Sequence, residues 1–225
     1  MSDTKKPWTK AVVYVIDDDE SLRKAIGRLL ESAGLVYDLF DSAETFMSSC
    51  LRQADVSCAV VDIRMGKGLT GIELQKVMQE SKMNIPIIFI TGHGDVQTSV
   101  KALKSGALHF ITKPFENDEL MGAIDDALMY DYKNKKAVAL REKAVTGYEN
   151  LTKRERQVFT RVARGFINKK IADDLQISEK TVKIHRAHMI DKMRANSTAE
   201  LVRMAFALAE IKILTVEDIE LDTKD

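Results

Sequence analysis

The chain reads as an α/β protein with a doubly wound five-stranded parallel sheet, followed by a separate all-α four-helix module that contains a helix-turn-helix. Three observations predict this. Short apolar runs alternate with helical patterns five times over the first ~120 residues, the signature of a parallel sheet covered by helices. Strand signals stop near Leu151, and four helical patterns follow. Charge changes at the same place. Residues 1–150 carry 19 Lys+Arg and 22 Asp+Glu, residues 151–209 carry 13 and 6, and residues 210–225 carry 2 and 6. A formal net charge of +0 thus hides a basic segment, the electrostatic footprint of nucleic-acid binding.

The elements follow in order. AVVYVI (11–16) is a continuous apolar run, as expected of a strand covered on both faces. Leu22, Ala25, Ile26, Leu29, Leu30 and Ala33 then recur at helical spacing, and Gly34 stops the pattern. LVYDLF (35–40) is the second strand, and 42–53 a helix with Ser42 at its N-cap. CAVVDI (58–63) is the third strand and 71–82 a helix. PIIFIT (86–91) is the fourth strand, 96–105 a helix closed by Gly106, and HFIT (109–112) the fifth strand. A long helix starts at Asn117 and grows more polar towards Leu140, as an exposed linker would, with Gly147 as the best stop signal. Thr152 and Glu155 form a capping box for the first of four helices at 153–164, 168–175, 179–194 and 198–209. The resulting division is 1–125, a helical linker 126–149, a basic helical module 150–210 and a loosely ordered acidic tail 211–225.

Polar residues close four of the apolar runs: Asp17 and Asp18, Asp62, Thr91 and Lys113. In a parallel sheet the C-terminal strand ends gather at one edge, so these residues meet. Three carboxylates, a hydroxyl and an ammonium suit phosphoryl transfer, which relies on positioning and charge neutralisation. Asp17, Asp18 and Asp62 can share one Mg²⁺, a cation that prefers carboxylate oxygens. Asp62 would attack phosphorus, Lys113 would hold the developing oxyanions, and Thr91 would offer its hydroxyl. No metal-ligand spacing joins the histidines to Cys50 and Cys58, which read as reduced, buried thiols. No apolar run reaches the roughly 20 residues of a membrane span, and no secretory pattern opens the chain, so a cytoplasmic location without membrane partners is expected.

The segments VYVIDDDESLRKAI, VVDIRM, IIFITGHGDV and FITKPF resemble a response-regulator receiver domain. The resemblance implies that Asp62 is the phosphoacceptor and that the backbone carbonyl of Arg64 completes the Mg²⁺ ligands of Asp17, Asp18 and Asp62. It also gives Thr91, Lys113 and Phe110 catalytic and switch roles. One departure stands out: Met65-Gly-Lys-Gly-Leu-Thr-Gly71 lacks the usual proline and is one residue longer, which puts phosphorylation rate and phosphoryl lifetime in question.

In the basic segment, Asn168 to Leu175, a turn at Gln176-Ile-Ser178 and Glu179 to Arg194 make a helix-turn-helix, with Val182, Met189, Ile190 and Met193 turned inward. LTKRERQVFTRVARGFINKKIADDLQISEKTVKIHRAHMIDKM resembles the LuxR/FixJ-type DNA-binding domain. That resemblance puts Lys180, Thr181, Lys183, His185 and Arg186 near DNA, Asn168 and Lys169 near its backbone, and Lys192 further out. It gives the last helix, with Leu201, Ala205 and Leu208, a dimerisation role, core packing being the alternative. The combined reading is a two-component transcriptional regulator of the FixJ/NarL type, not an enzyme. Its partners are a sensor histidine kinase, double-stranded DNA, RNA polymerase and a second copy on activation. The alternatives are a small phosphotransferase or phosphatase, and a DNA-binding protein indifferent to phosphorylation.

Overall fold

The computed structural model describes residues 6–66, 68–92, 107–215 and 218. The chain divides into two compact units, 1–134 and 135–225.

The first unit holds five parallel strands: β1 (Ala11–Ile16), β2 (Val36–Phe40), β3 (Val56–Asp62), β4 (Ile87–Thr91) and β5 (His109–Thr112), in the order β2-β1-β3-β4-β5. The helices are α1 (Glu20–Ser32), α2 (Ala43–Ser48), α3 (Gly71–Glu80) and the start of α4 (Asn117–Glu149). β1 is continuously apolar because alternate side chains enter different cores. Val13 and Val15 pack with Ile26 and Leu30 of α1 and Leu120, Ile124 and Leu128 of α4. Val12, Tyr14 and Ile16 pack with Phe46 of α2 and Leu74 and Met78 of α3. A strand that feeds two cores cannot alternate apolar and polar residues. The edge strand β2, with Val36 and Leu39 partly in solvent, is less buried. The expected doubly wound parallel sheet is therefore present.

Local chemistry sets the element ends. Thr70 and Glu73 cap α3 reciprocally, and Ser42 and Thr45 do so for α2. α2 ends at Ser48, five residues before the expected Gln53. Ser48 and Ser49 hydroxyls donate to the carbonyls of Thr45 and Phe46 and so take up acceptors that a continuing helix needs. The expected helix at 96–105 lies outside the described residues. At the opposite edge of the sheet from the strand C-termini, the buried Asp131 of α4 accepts the backbone N–H of Ser57 at 2.8 Å, where β3 begins before β4 has joined it.

The second unit contains the end of α4, then α5 (Lys153–Ala163), α6 (Asn168–Leu175), α7 (Glu179–Met193) and α8 (Thr198–Glu210). The Thr152–Glu155 capping box forms as expected, worth about 1 kcal/mol for the hydroxyl cap. Gly147 does not stop its helix, which runs on to Glu149. A Cβ there would lie 2.9 Å from Met193 Cα, so this glycine permits a close approach to the end of α7. Leu201, Ala205 and Leu208 lie inside the core of this unit with Val158, Phe159, Val182 and Met189, and are not a free face. Leu214 packs on the same core, so the chain stays attached beyond α8. Cys58 is buried, and burial pushes its thiol up, whereas Cys50 is exposed, contrary to the expectation for it. α2 has ended before Cys50, which removes that residue from any core-facing stripe.

Candidate phosphoryl-transfer site and nucleic-acid interface

The sheet order reverses between β1 and β3: the chain passes from β1 outward to β2, then returns to the other side of β1. Such a reversal opens a crevice at the strand C-termini. Asp17 follows β1 there, and Asp62 ends β3. Carboxylate oxygens of Asp17, Asp18 and Asp62 lie within 4.8 Å of one another. Lys113, one residue beyond β5, places its ammonium 2.8 Å from Asp17 Oδ2 and 2.5 Å from Asp62 Oδ2. Its backbone N–H donates to the Thr91 carbonyl, which ties the ends of β4 and β5 together. Thr91 is buried, and Phe110 is half-buried against the core that holds Phe89.

Hydrogen bonds orient the carboxylates further. Asp17 Oδ1 accepts the Asp19 N–H, and Asp62 Oδ1 accepts the Arg64 N–H. Asp18 Oδ2 accepts the Gly66 N–H at 2.8 Å. Asp19 caps α1 by accepting from Ser21 and Leu22, so it serves the helix and not the cluster. Burial pushes the Asp17 carboxyl above its ordinary value, against the pull of Lys113 and the Asp19 N–H. Burial also opposes charging Lys113, but the hydrogen bonds and charges of Asp17 and Asp62 outweigh it and raise its pKa. Three carboxylates against one ammonium leave an acidic excess, made of oxygen donors without sulfur or nitrogen. That donor set suits a hard divalent cation.

In the second unit α6 and α7 are joined by a tight turn, as the helix-turn-helix pattern predicts. α6 ends at Gln176, which takes a left-handed conformation (φ 52°), and Ser178 caps α7 through the Thr181 N–H. Val182, Met189 and Met193 are buried, as their spacing predicts, and Ile190 is half-buried against the same core. Lys169, Lys180 and Lys183 are exposed; Thr181, His185 and Arg186 are half-buried. Arg186 donates to Asn168 Oδ1 at 3.1 Å, which joins two of the predicted DNA-facing residues. Lys192 is engaged within the unit, with its ammonium 2.7 Å from the buried Glu155. Two features escaped the sequence pattern. Ile184 is 49% exposed beside Lys183 although apolar. Glu44, far from the strand ends in sequence, accepts the Leu69 N–H in the loop after β3. The alternation of Ile184 with Val182 carried the first signal; nothing local carries the second.

Residues 13–125 match the family model of the response regulator receiver domain, and residues 149–205 match that of the bacterial regulatory proteins of the luxR family. The chain belongs to the response regulators with a LuxR-type DNA-binding domain. The response regulator protein TodT of Pseudomonas putida is 40% identical over 200 residues, covering 89% of this chain and 87% of that one. The transcriptional regulatory protein FixJ of Bradyrhizobium diazoefficiens is 42% identical over 197 residues, covering 88% and 95%. Among solved structures, the response regulator StyR aligns with TM-score 0.69 and 40% identity, over 87% of this chain and 98% of that one. Full-length FixJ from B. japonicum aligns with TM-score 0.56 and 41% identity, over 90% and 98%. This response regulator is thus of the FixJ/NarL type, a transcription regulator. No described helix is long and apolar enough to cross a membrane.

Proposed function

We propose that Asp62 accepts a phosphoryl group from the phosphohistidine of a sensor kinase, and that this event controls DNA binding by the second unit. The observation that carries the proposal is the position of Lys113, whose ammonium spans Asp17 and Asp62 beside an acidic excess. Asp17, Asp18 and Asp62, with the Arg64 carbonyl, would hold Mg²⁺, which supplies charge neutralisation for the phosphoryl oxygens.

The side chains of this protein divide the remaining work. An Asp62 oxygen forms the bond to phosphorus as the phosphorus–nitrogen bond to the donor imidazole breaks. Lys113 is already within reach of Asp62 and would follow its charge onto the new phosphoryl oxygens, where a preorganised cation acts most strongly. The Thr91 hydroxyl, at the buried end of β4, would take a further phosphoryl oxygen. Phe110 on the neighbouring strand would respond to that movement, which gives a local electrostatic event a packing readout.

In the second unit, α7 would enter the major groove with Lys180, Thr181, Lys183, His185 and Arg186 towards the DNA. Asn168 and Lys169 at the start of α6 would meet the backbone. A homodimer on two half-sites in the cytoplasm, in contact with RNA polymerase, completes the reading. The linker assigned to 126–149 would connect input to output.

Asp62→Asn tests this directly. The parent protein should gain one phosphoryl group from a small acyl phosphate with Mg²⁺ and bind operator DNA more tightly. The variant should gain none and show no donor-dependent change. Equal incorporation in the variant would remove Asp62 as acceptor. Donor-independent DNA affinity in the parent would favour a phosphorylation-indifferent DNA binder.

A further inference from the structure

The lengthened loop after β3 is closed at its base and tied at two further points. Gly71 N–H donates to the Ile63 carbonyl at 3.1 Å, so the loop leaves and rejoins the chain beside Asp62. A Cβ at Gly71 would stand 2.5 Å from the Asp62 carbonyl oxygen. Asp18 holds the outward limb through the Gly66 N–H, and Glu44 holds the returning limb by accepting the Leu69 N–H at 2.9 Å. Glu44 sits in the first turn of α2, fixed by the reciprocal Ser42–Thr45 cap. Gly68 lies against the Glu44 carboxylate with φ 97°, and a Cβ there would overlap that carboxylate. Two glycines make this loop costly to order, so its anchors matter more than in a shorter loop.

We propose that Glu44 is a positioning residue that sets the lifetime of the phosphoryl group on Asp62, by holding this loop closed and sparing Asp18 from anchoring it alone. The proposal rests on the acceptor role given above to Asp62. In hydrolysis, a water oxygen forms a bond to phosphorus and the bond from phosphorus to the Asp62 oxygen breaks. Inorganic phosphate and the Asp62 carboxylate result, and the water proton passes to solvent. Asp62 is only 6% exposed, and a loop held in place beside it would keep that water out. Without Glu44, the loop beyond its Gly71–Ile63 base would be held by Asp18 alone, so water would enter and the loop's motion would pass to a carboxylate that would also hold Mg²⁺. Glu44 is not one of the clustered carboxylates; it acts through the loop backbone.

Full-length parent, Glu44→Ala, Glu44→Gln and Gly68→Ala proteins are loaded from a small acyl phosphate, freed of donor, and followed by intact mass. Mg²⁺ alone is titrated calorimetrically. Losing a hydrogen bond to a charged acceptor at this exposed position should shorten the half-life about threefold and weaken Mg²⁺ about threefold in Glu44→Ala. Glu44→Gln keeps an acceptor oxygen for Leu69 and should stay close to the parent. Gly68→Ala displaces the Glu44 carboxylate and also strains the loop backbone at φ 97°, so it should shorten the half-life at least as much, with thermal melting of Glu44→Ala unchanged. Parent-like decay in both Glu44→Ala and Gly68→Ala overturns the inference while leaving Asp62 as acceptor. A Gln variant as impaired as the Ala variant overturns the hydrogen bond as the cause. Absence of phosphoryl incorporation in the parent overturns the acceptor reading and the inference with it.

Discussion

Each unit of the molecule contains a buried carboxylate bonded to a lysine, and the two clusters differ in charge balance. In the second unit, Glu155 meets Lys192 at 2.7 Å, and its carboxylate also accepts the Thr152 N–H as half of a helix cap. One carboxylate faces one ammonium and a backbone donor, with the His188 imidazole 3.9 Å from its other oxygen, so no acidic excess is left there. At the sheet edge, Asp17 and Asp62 share the one ammonium of Lys113, and Asp18 adds a third carboxylate within 4.8 Å of theirs. Similar distances therefore carry different meanings. A balanced buried pair holds two segments together, whereas an acidic excess at a crevice leaves room for a cation and a phosphoryl group.

The most severe way to break this comparison is Lys113→Ala. It removes a preorganised cation from the reacting centre, so phosphoryl incorporation from a small donor should slow by about a hundredfold or more. The acidic cluster should keep its affinity for Mg²⁺, measured by calorimetry. A rate within threefold of the parent would mean that Lys113, like Lys192, is structural. A smaller effect is expected on the recognition surface. Lys183→Ala should weaken operator binding by about tenfold and lower the salt slope by about 1, since one phosphate or base contact is lost. Melting temperature should not move, because Lys183 is exposed and carries no core contact. Unchanged affinity would take α7 out of the groove.

The smallest effect sharpens the contrast from the structural side. Burial pushes the Glu155 carboxyl up, but Lys192 and the Thr152 contacts outweigh it and hold it below its ordinary value of 4.5. A lowered folded-state value gives stabilisation that is complete above 4.5 and is lost as pH falls through the lowered value. Amide exchange across 151–209 should therefore quicken as pH drops below that point, after correction for the intrinsic rate. Glu155→Gln should flatten the dependence at a cost of about 1 kcal/mol at neutral pH. A parallel pH profile in parent and variant would show that the pair contributes nothing.

Much of this was legible in the sequence, for physical reasons that can be named. The sheet class followed from doubly covered strands such as β1, where two cores demand an unbroken apolar run. The convergence of Asp17, Asp62 and Lys113 followed from parallel topology, which brings strand C-termini to one edge whatever their separation in the chain. What stayed hidden depended on partners remote in sequence. Gly147 looks like a helix stop until Met193 is seen against it. Glu44 looks like an ordinary first-turn acid until Leu69 donates to it. Lys192 looks like a free basic residue on α7, and its engagement by Glu155 becomes visible only when α5 and α7 pack.

The bond between Asp131 and the Ser57 N–H bears on how force could travel in the first unit. β3 is clasped at its leading end by a side chain of α4 and carries Asp62 at its trailing end. The strand therefore behaves as a tie rod fastened at both ends. Slippage along its axis would strain the clasp on α4 together with the ladder bonds to β1 and β4, so the clasp adds to the resistance that fixes where Asp62 sits.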